Sequence, residues 1–82
     1  MNFKELMARP LLNAEGQPTT TWHEDIQLIV HVGVTMGMTI SSVDADRIRY
    51  TVETFANDQQ PGVTDTLGYA IERAVEAWKA GF

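Results

Sequence analysis

The side chains best suited to chemistry sit in one short run. His23-Glu24-Asp25 sets an imidazole beside two carboxylates, and His31 is the second of two imidazoles in the chain. Such groups move protons or hold metal ions when geometry brings them together. On a helix, however, His23 and His31 stand about two turns apart, and neither has a partner at the four-residue spacing of a zinc-binding helix. His31 also lies in an apolar segment, where an imidazole is more often packed than ligating. The chain has no cysteine, which excludes disulfides, thiolate catalysis and cysteine-ligated zinc. Ser41 and Ser42 precede Val43-Asp44 and read as helix caps rather than nucleophiles. No glycine-rich phosphate loop and no nucleophile elbow occurs. The expectation is a non-catalytic protein with no metal and no cofactor.

The elements that carry these residues are legible in part. Eighty-two residues make a single domain, expected as an N-terminal short helix and connector over 1–20 and a helical core over 21–82. An apolar fraction of 44% argues for a folded chain. Asn2 and Glu5 fit a capping pair for a helix from Phe3 to about Ala8, stopped by Pro10. Gly16 and Pro18 mark a turn in the connector. Thr21-Trp22-His23-Glu24 matches the capping box, in which a threonine hydroxyl and a glutamate satisfy each other's free amides.

Ile26 to Val43 then obeys two rules at once. Ile26, Leu28, Val30, Val32, Val34, Met36, Met38 and Ile40 alternate with mostly polar or small residues, as in a half-buried strand. The same stretch reads as a helix that stops at Gly37, with Met38 as the apolar contact after the stop, and restarts beyond Ser41. The capping box, the stop and the restart each carry a separate physical reason, so helix is expected. Ala45, Ile48, Val52, Phe55 and Ala56 recur at helical spacing, as do Leu67, Ala70, Ile71, Ala74 and Trp78, with Thr64 or Asp65 as the cap of the last helix and Gly81 as its end. The fold expected is all-α, with helices at about 22–36, 42–57 and 64–80 after the short first one. Its alternative is a ribbon-helix-helix-like α+β dimer with a strand at about 31–40.

The formal net charge is −5. A DNA-binding domain normally carries a basic face, because counterion release from phosphate supplies most of its non-specific affinity. Here Lys4, Arg9, Arg47, Arg49, Arg73 and Lys79 are scattered, and Asp44, Asp46 and Glu53 surround the one close pair, Arg47 and Arg49. The first residues, Met-Asn-Phe-Lys-Glu-Leu-Met-Ala-Arg, have no long apolar run after a basic start, so no secretory signal is expected. The apolar segment carries Gln27, His31 and several glycines and threonines, a poor membrane span. A cytoplasmic protein with no membrane partner is expected.

Three local resemblances bear on function. Val32 to Val43, with Gly33, Gly37 and Val43 at the small, turn and apolar positions, resembles the middle of a helix-turn-helix regulator. That resemblance implies DNA read through Arg47 and Arg49, beside Asp44 and Asp46, which repel phosphate. The strand alternative resembles a ribbon-helix-helix regulator, whose outward ribbon residues here would be His31, Gly33, Thr35, Gly37 and Thr39, all without positive charge. Arg9-Pro10-Leu11-Leu12-Asn13-Ala14-Glu15-Gly16-Gln17-Pro18-Thr19, with Trp22 downstream, resembles a segment of phage virion-associated proteins and implies a phage or prophage origin. Tryptophan and tyrosine favour interface hot spots. The reading is therefore a small acidic protein-interaction module that binds or inhibits a protein partner, or self-associates as a homodimer, with Trp22, Asp44, Asp46, Glu53 and Phe82 as candidate contacts. A DNA-binding regulator using Arg47 and Arg49 is the alternative, disfavoured by the charge.

Overall fold

The computed structural model describes residues 2–59 and 65–81. Four helices run in chain order, α1 (Phe3–Met7), α2 (Trp22–Thr35), α3 (Ser42–Asn57) and α4 (Leu67–Lys79). Among the described residues there is no strand, and the extended contacts are two isolated bridges, Pro10 with Thr66 and Leu12 with Pro18. The domain is all-α. The strand alternative at 31–40 is overturned, because Trp22–Thr35 is one continuous helix followed by a turn.

Local chemistry explains each boundary. Asn2 Oδ1 accepts from the Glu5 amide at 3.2 Å and starts α1. At α2 the capping box is complete: Thr21 Oγ1 accepts from the Glu24 amide at 3.2 Å, and Glu24 Oε1 accepts from the Thr21 amide at 2.9 Å. The stop is a Schellman turn. Gly37 takes φ +77°, the Met38 amide reaches back to the Gly33 carbonyl at 2.8 Å, and the Gly37 amide to the Val34 carbonyl at 3.0 Å. Ser41 Oγ then accepts from the Asp44 amide at 3.1 Å and opens α3. The last helix begins later than expected. Thr66, rather than Asp65, is its cap, accepting from the Tyr69 amide at 3.3 Å, and Thr64 lies outside the described residues. Both are cap-competent types, and the backbone pairing of Pro10 with Thr66 selects the later one.

α2 resolves the double pattern by burial. It packs against both α3 and α4, which covers Ile26, Leu28, Ile29 and Val32 and leaves Val34 outside. A helix apolar around most of its girth is stable only when neighbours cover it on several sides. The core joins these residues with Leu6, Leu11, Ile40, Ala45, Ile48, Val52, Leu67, Ala70, Ile71, Ala74 and Val75.

The N-terminal connector is more than a tether. The Leu11 amide bonds the Asp65 carbonyl at 3.1 Å, the Leu67 amide bonds the Arg9 carbonyl at 2.7 Å, and Leu11 is buried in the core. Asn13 organises the loop beyond: its Oδ1 accepts from the Glu15 and Gln17 amides at 3.0 and 2.9 Å, and Gly16 supplies the positive φ the turn needs. These bonds lay the segment 9–20 over the ends of α2, α3 and α4, where it walls the cleft described next.

Candidate functional site

α3 has a buried face and a free one. At 100° per residue, Ala45, Ile48 and Val52 point into the core, while Val43, Asp46, Arg47 and Tyr50 fall on the opposite side. Val43 is 66% exposed and Tyr50 63%, unusually open for such large apolar side chains. Trp22, at the first turn of α2, borders this ridge at 51% exposure, and its indole N–H donates to Asp46 Oδ1 at 2.8 Å. That bond fixes the indole beside α3 and joins the two helices into one surface.

Behind the ridge, between α2, α3 and the connector, lies a cavity of about 90 Å³ bounded by Leu11, Pro18, Trp22, Asp25, Arg49 and Glu53. Arg49 bridges its walls. One guanidinium nitrogen meets Glu53 at 2.7 Å, and Nε lies 3.9 Å from Asp25 Oδ2, close enough for attraction but beyond hydrogen-bond reach. Arg49 Nε is buried with no hydrogen-bond partner among the described residues. The Thr20 hydroxyl donates to Asp25 Oδ1. With two carboxylates against one guanidinium, the lining carries an excess of negative charge.

Burial pushes the Asp25 carboxyl above its usual value of 3.8, against the opposing pull of the Thr20 hydroxyl and Arg49. Glu24, on the exposed capping box, is held below its usual 4.5 chiefly by the Thr21 backbone N–H. A carboxyl whose folded value is raised binds its proton more readily when folded. Asp25 therefore contributes stability that is full below pH 3.8 and is lost as pH rises through the higher folded value. Asp25→Asn keeps the acceptor for Thr20 without the buried charge. It is expected to melt at or above the wild-type temperature at pH 7 and to lose that advantage at pH 3, measured by circular dichroism. A drop of more than about 4 °C at pH 7, roughly 1 kcal/mol, would show that the Arg49 pairing outweighs the burial cost.

The other candidate groups are dispersed. His31 stacks flat on Phe3, with ring centroids 4.2 Å apart and planes 6° from parallel, so its imidazole is a packing surface for α1. His23 Nε2 lies 2.8 Å from Gln27 Nε2, one turn along its helix. Among the described residues no cluster of three histidine, aspartate or glutamate side chains is placed to hold a metal ion. Among the described residues no helix is long and apolar enough to cross a membrane.

Of the five residues read as protein contacts, Trp22 and Asp46 are joined directly and Glu53 lies on the same flank of α3 through Arg49. Asp44 lies about half a turn around the helix from both, and Phe82 lies outside the described residues. Arg47 is exposed, whereas Arg49 is turned inward to Asp25 and Glu53, so the two do not form one basic patch. The sequence reading missed Val43 and Tyr50 as surface residues. The signal was the seven-residue spacing that places them opposite Ile48 and Val52 once α3 is accepted as a helix. No family model, curated protein or solved structure matches the chain.

Proposed function

We propose that this protein is a non-catalytic interaction module that docks another protein through the outward face of α3 and the adjoining Trp22. The observation that carries the reading is the open trio of Trp22, Val43 and Tyr50 around Asp46. Large aromatic side chains held rigidly at low entropic cost, with polar groups at their margin, are what hot spots are made of. Trp22 is already immobilised by its bond to Asp46, so docking forfeits little of its freedom. The engagement of His31 with Phe3 and of His23 with Gln27 supports a role without catalysis. The inward turn of Arg49 leaves Arg47 as the one cation on the α3 ridge, which supports a protein rather than a phosphate backbone as the target.

The test is site-specific photo-crosslinking with a benzophenone amino acid replacing Tyr50, compared with the same group replacing Glu72 on the exposed side of α4. A protein adduct formed from position 50 and absent from position 72 is the expected outcome. Equal labelling from both positions, or adducts to nucleic acid alone, would overturn the reading.

A further inference from the structure

The ring of Trp22 stands open on the ridge, and its surroundings select the charge of whatever covers it. The indole is half exposed and is held in place by its N–H bond to Asp46 Oδ1. Asp46 makes no ion pair among the described residues, so its Oδ2 is open to a second donor beside the ring. Trp22 also bounds the cavity that holds Asp25 and Glu53. The charges of Glu24 and Glu53 are both felt at Asp25, so these carboxylates stand close together. Arg49 offsets them only in part, and Arg9 acts on Glu24 while it donates to the Thr19 carbonyl at 3.0 Å. Four carboxylates thus gather around Trp22 against two guanidiniums that are already engaged. The positive end of α2 adds about half a charge, too little to reverse the sign. An indole face is the strongest aromatic acceptor of a cation. Among the described residues no cation lies over this ring, whereas Arg73 lies over Phe55 at 4.7 Å and over Tyr69 at 5.5 Å.

We propose that the protein docking on this ridge is basic there, and that it lays an arginine side chain on Trp22 with the guanidinium against Asp46. This rests on the protein-docking reading of the α3 face and names the chemistry of the partner. Arginine suits the place better than lysine. Its planar, weakly hydrated guanidinium stacks on an indole and still donates from its edge to a carboxylate, which an ammonium does less well. The ring and the carboxylate are already joined, so the receptor is arranged before the partner arrives. Arg47 does not bar the approach, since it is turned about 100° around α3 from Asp46. The net charge of −5 acts in the same direction at longer range, raising the rate at which a basic surface is met.

Titration of the isotope-labelled full chain with short peptides reads this directly. The probe is acetyl-Gly-Leu-Arg-Leu-Gly-amide, compared with versions carrying citrulline, the neutral isostere, or glutamate in place of the arginine. The signal is the indole N–H resonance of Trp22 in nitrogen–proton correlation spectra, with that of Trp78 on α4 as the internal control. The arginine peptide is expected to shift the Trp22 signal saturably with a Kd on the order of 1 mM, and the citrulline peptide to bind about fivefold more weakly or worse. Asp46→Asn keeps an acceptor for the indole and removes the charge. It is expected to weaken the arginine peptide about threefold or more, leaving citrulline binding and the thermal melt unchanged. No saturable shift, equal binding of the arginine and citrulline peptides, equally tight binding of the glutamate peptide, equal movement of Trp78, or a full arginine preference in Asp46→Asn would each overturn the basic partner. If any of these occurs while the benzophenone at position 50 still captures a polypeptide, protein docking stands and only the partner's chemistry falls. If that group captures nothing beyond the control at position 72, protein docking falls and the arginine contact with it.

Discussion

Leu28→Ala is expected to destabilise the protein by about 2–5 kcal/mol, lowering its melting temperature by roughly 10–30 °C. Leu28 is fully buried in α2 where that helix faces both α3 and α4, so truncation leaves a void that three packed helices close only in part. A domain of this length has about 4–12 kcal/mol of total stability, so one such loss removes a large share of it. The informative control is Val34→Ala. A strand from Ile26 to Ile40 would put positions 28 and 34 on one face and make the two substitutions comparable. The helix turns them about 120° apart and leaves Val34 63% exposed, so Val34→Ala is expected to change stability by less than about 0.5 kcal/mol. Equal effects at the two positions would contradict the packing of α2.

Gly33→Val is expected to cost about 1–3 kcal/mol, even though valine is the better helix former by a few tenths. The reason is the turn that follows. A Cβ at position 33 would come 2.8 Å from Ile40 Cγ1 and closer still to Ile40 Cδ1. Ile40 cannot retreat easily, because it is buried and its loop is tied by the Met38 amide to the Gly33 carbonyl and by the left-handed Gly37. Thermal melts of Gly33→Val, Ile40→Ala and the pair test this as a cycle. The double variant is expected to lose clearly less than the two single losses added together, since Ile40→Ala makes the room the new side chain needs. Strict additivity would mean that Gly33 and Ile40 do not share that space.

The same two glycines show what was legible. Gly37 was readable as a helix stop because only its conformational freedom mattered, and that is a property of one residue. Gly33 was read only as the small position of the helix-turn-helix resemblance, and its physical reason was not legible, since that reason is the side chain of Ile40 lying over it, a contact created by the turn. Capping chemistry at Asn2, Thr21 and Ser41 acts within four residues and was read from the chain directly. The cap of α4 was not, because the pairing of Pro10 with Thr66 chose among neighbouring candidates. The exposed face follows the same division. Trp22 and Asp46 could be named as surface candidates, but their hydrogen bond joins residues 24 positions apart and needs α2 and α3 packed. Arg47 and Arg49 looked like a pair in sequence, and helical geometry sends them to different sides of α3.

Both substitutions above test the frame that holds the α3 ridge and Trp22 in place, and the remaining issue is what that surface accepts. The protein rather than duplex DNA proposed above as its target rests on the acidic flank and on Arg47 as the outward cation of α3, and a gel-retardation series in low salt separates the two most directly. Purified protein is expected to leave a mixed-sequence duplex unshifted at about 50 mM salt, where electrostatic binding is strongest. A shift that weakens steeply as salt rises, and that disappears when Arg47→Ala and Arg49→Ala are combined, would contradict the account.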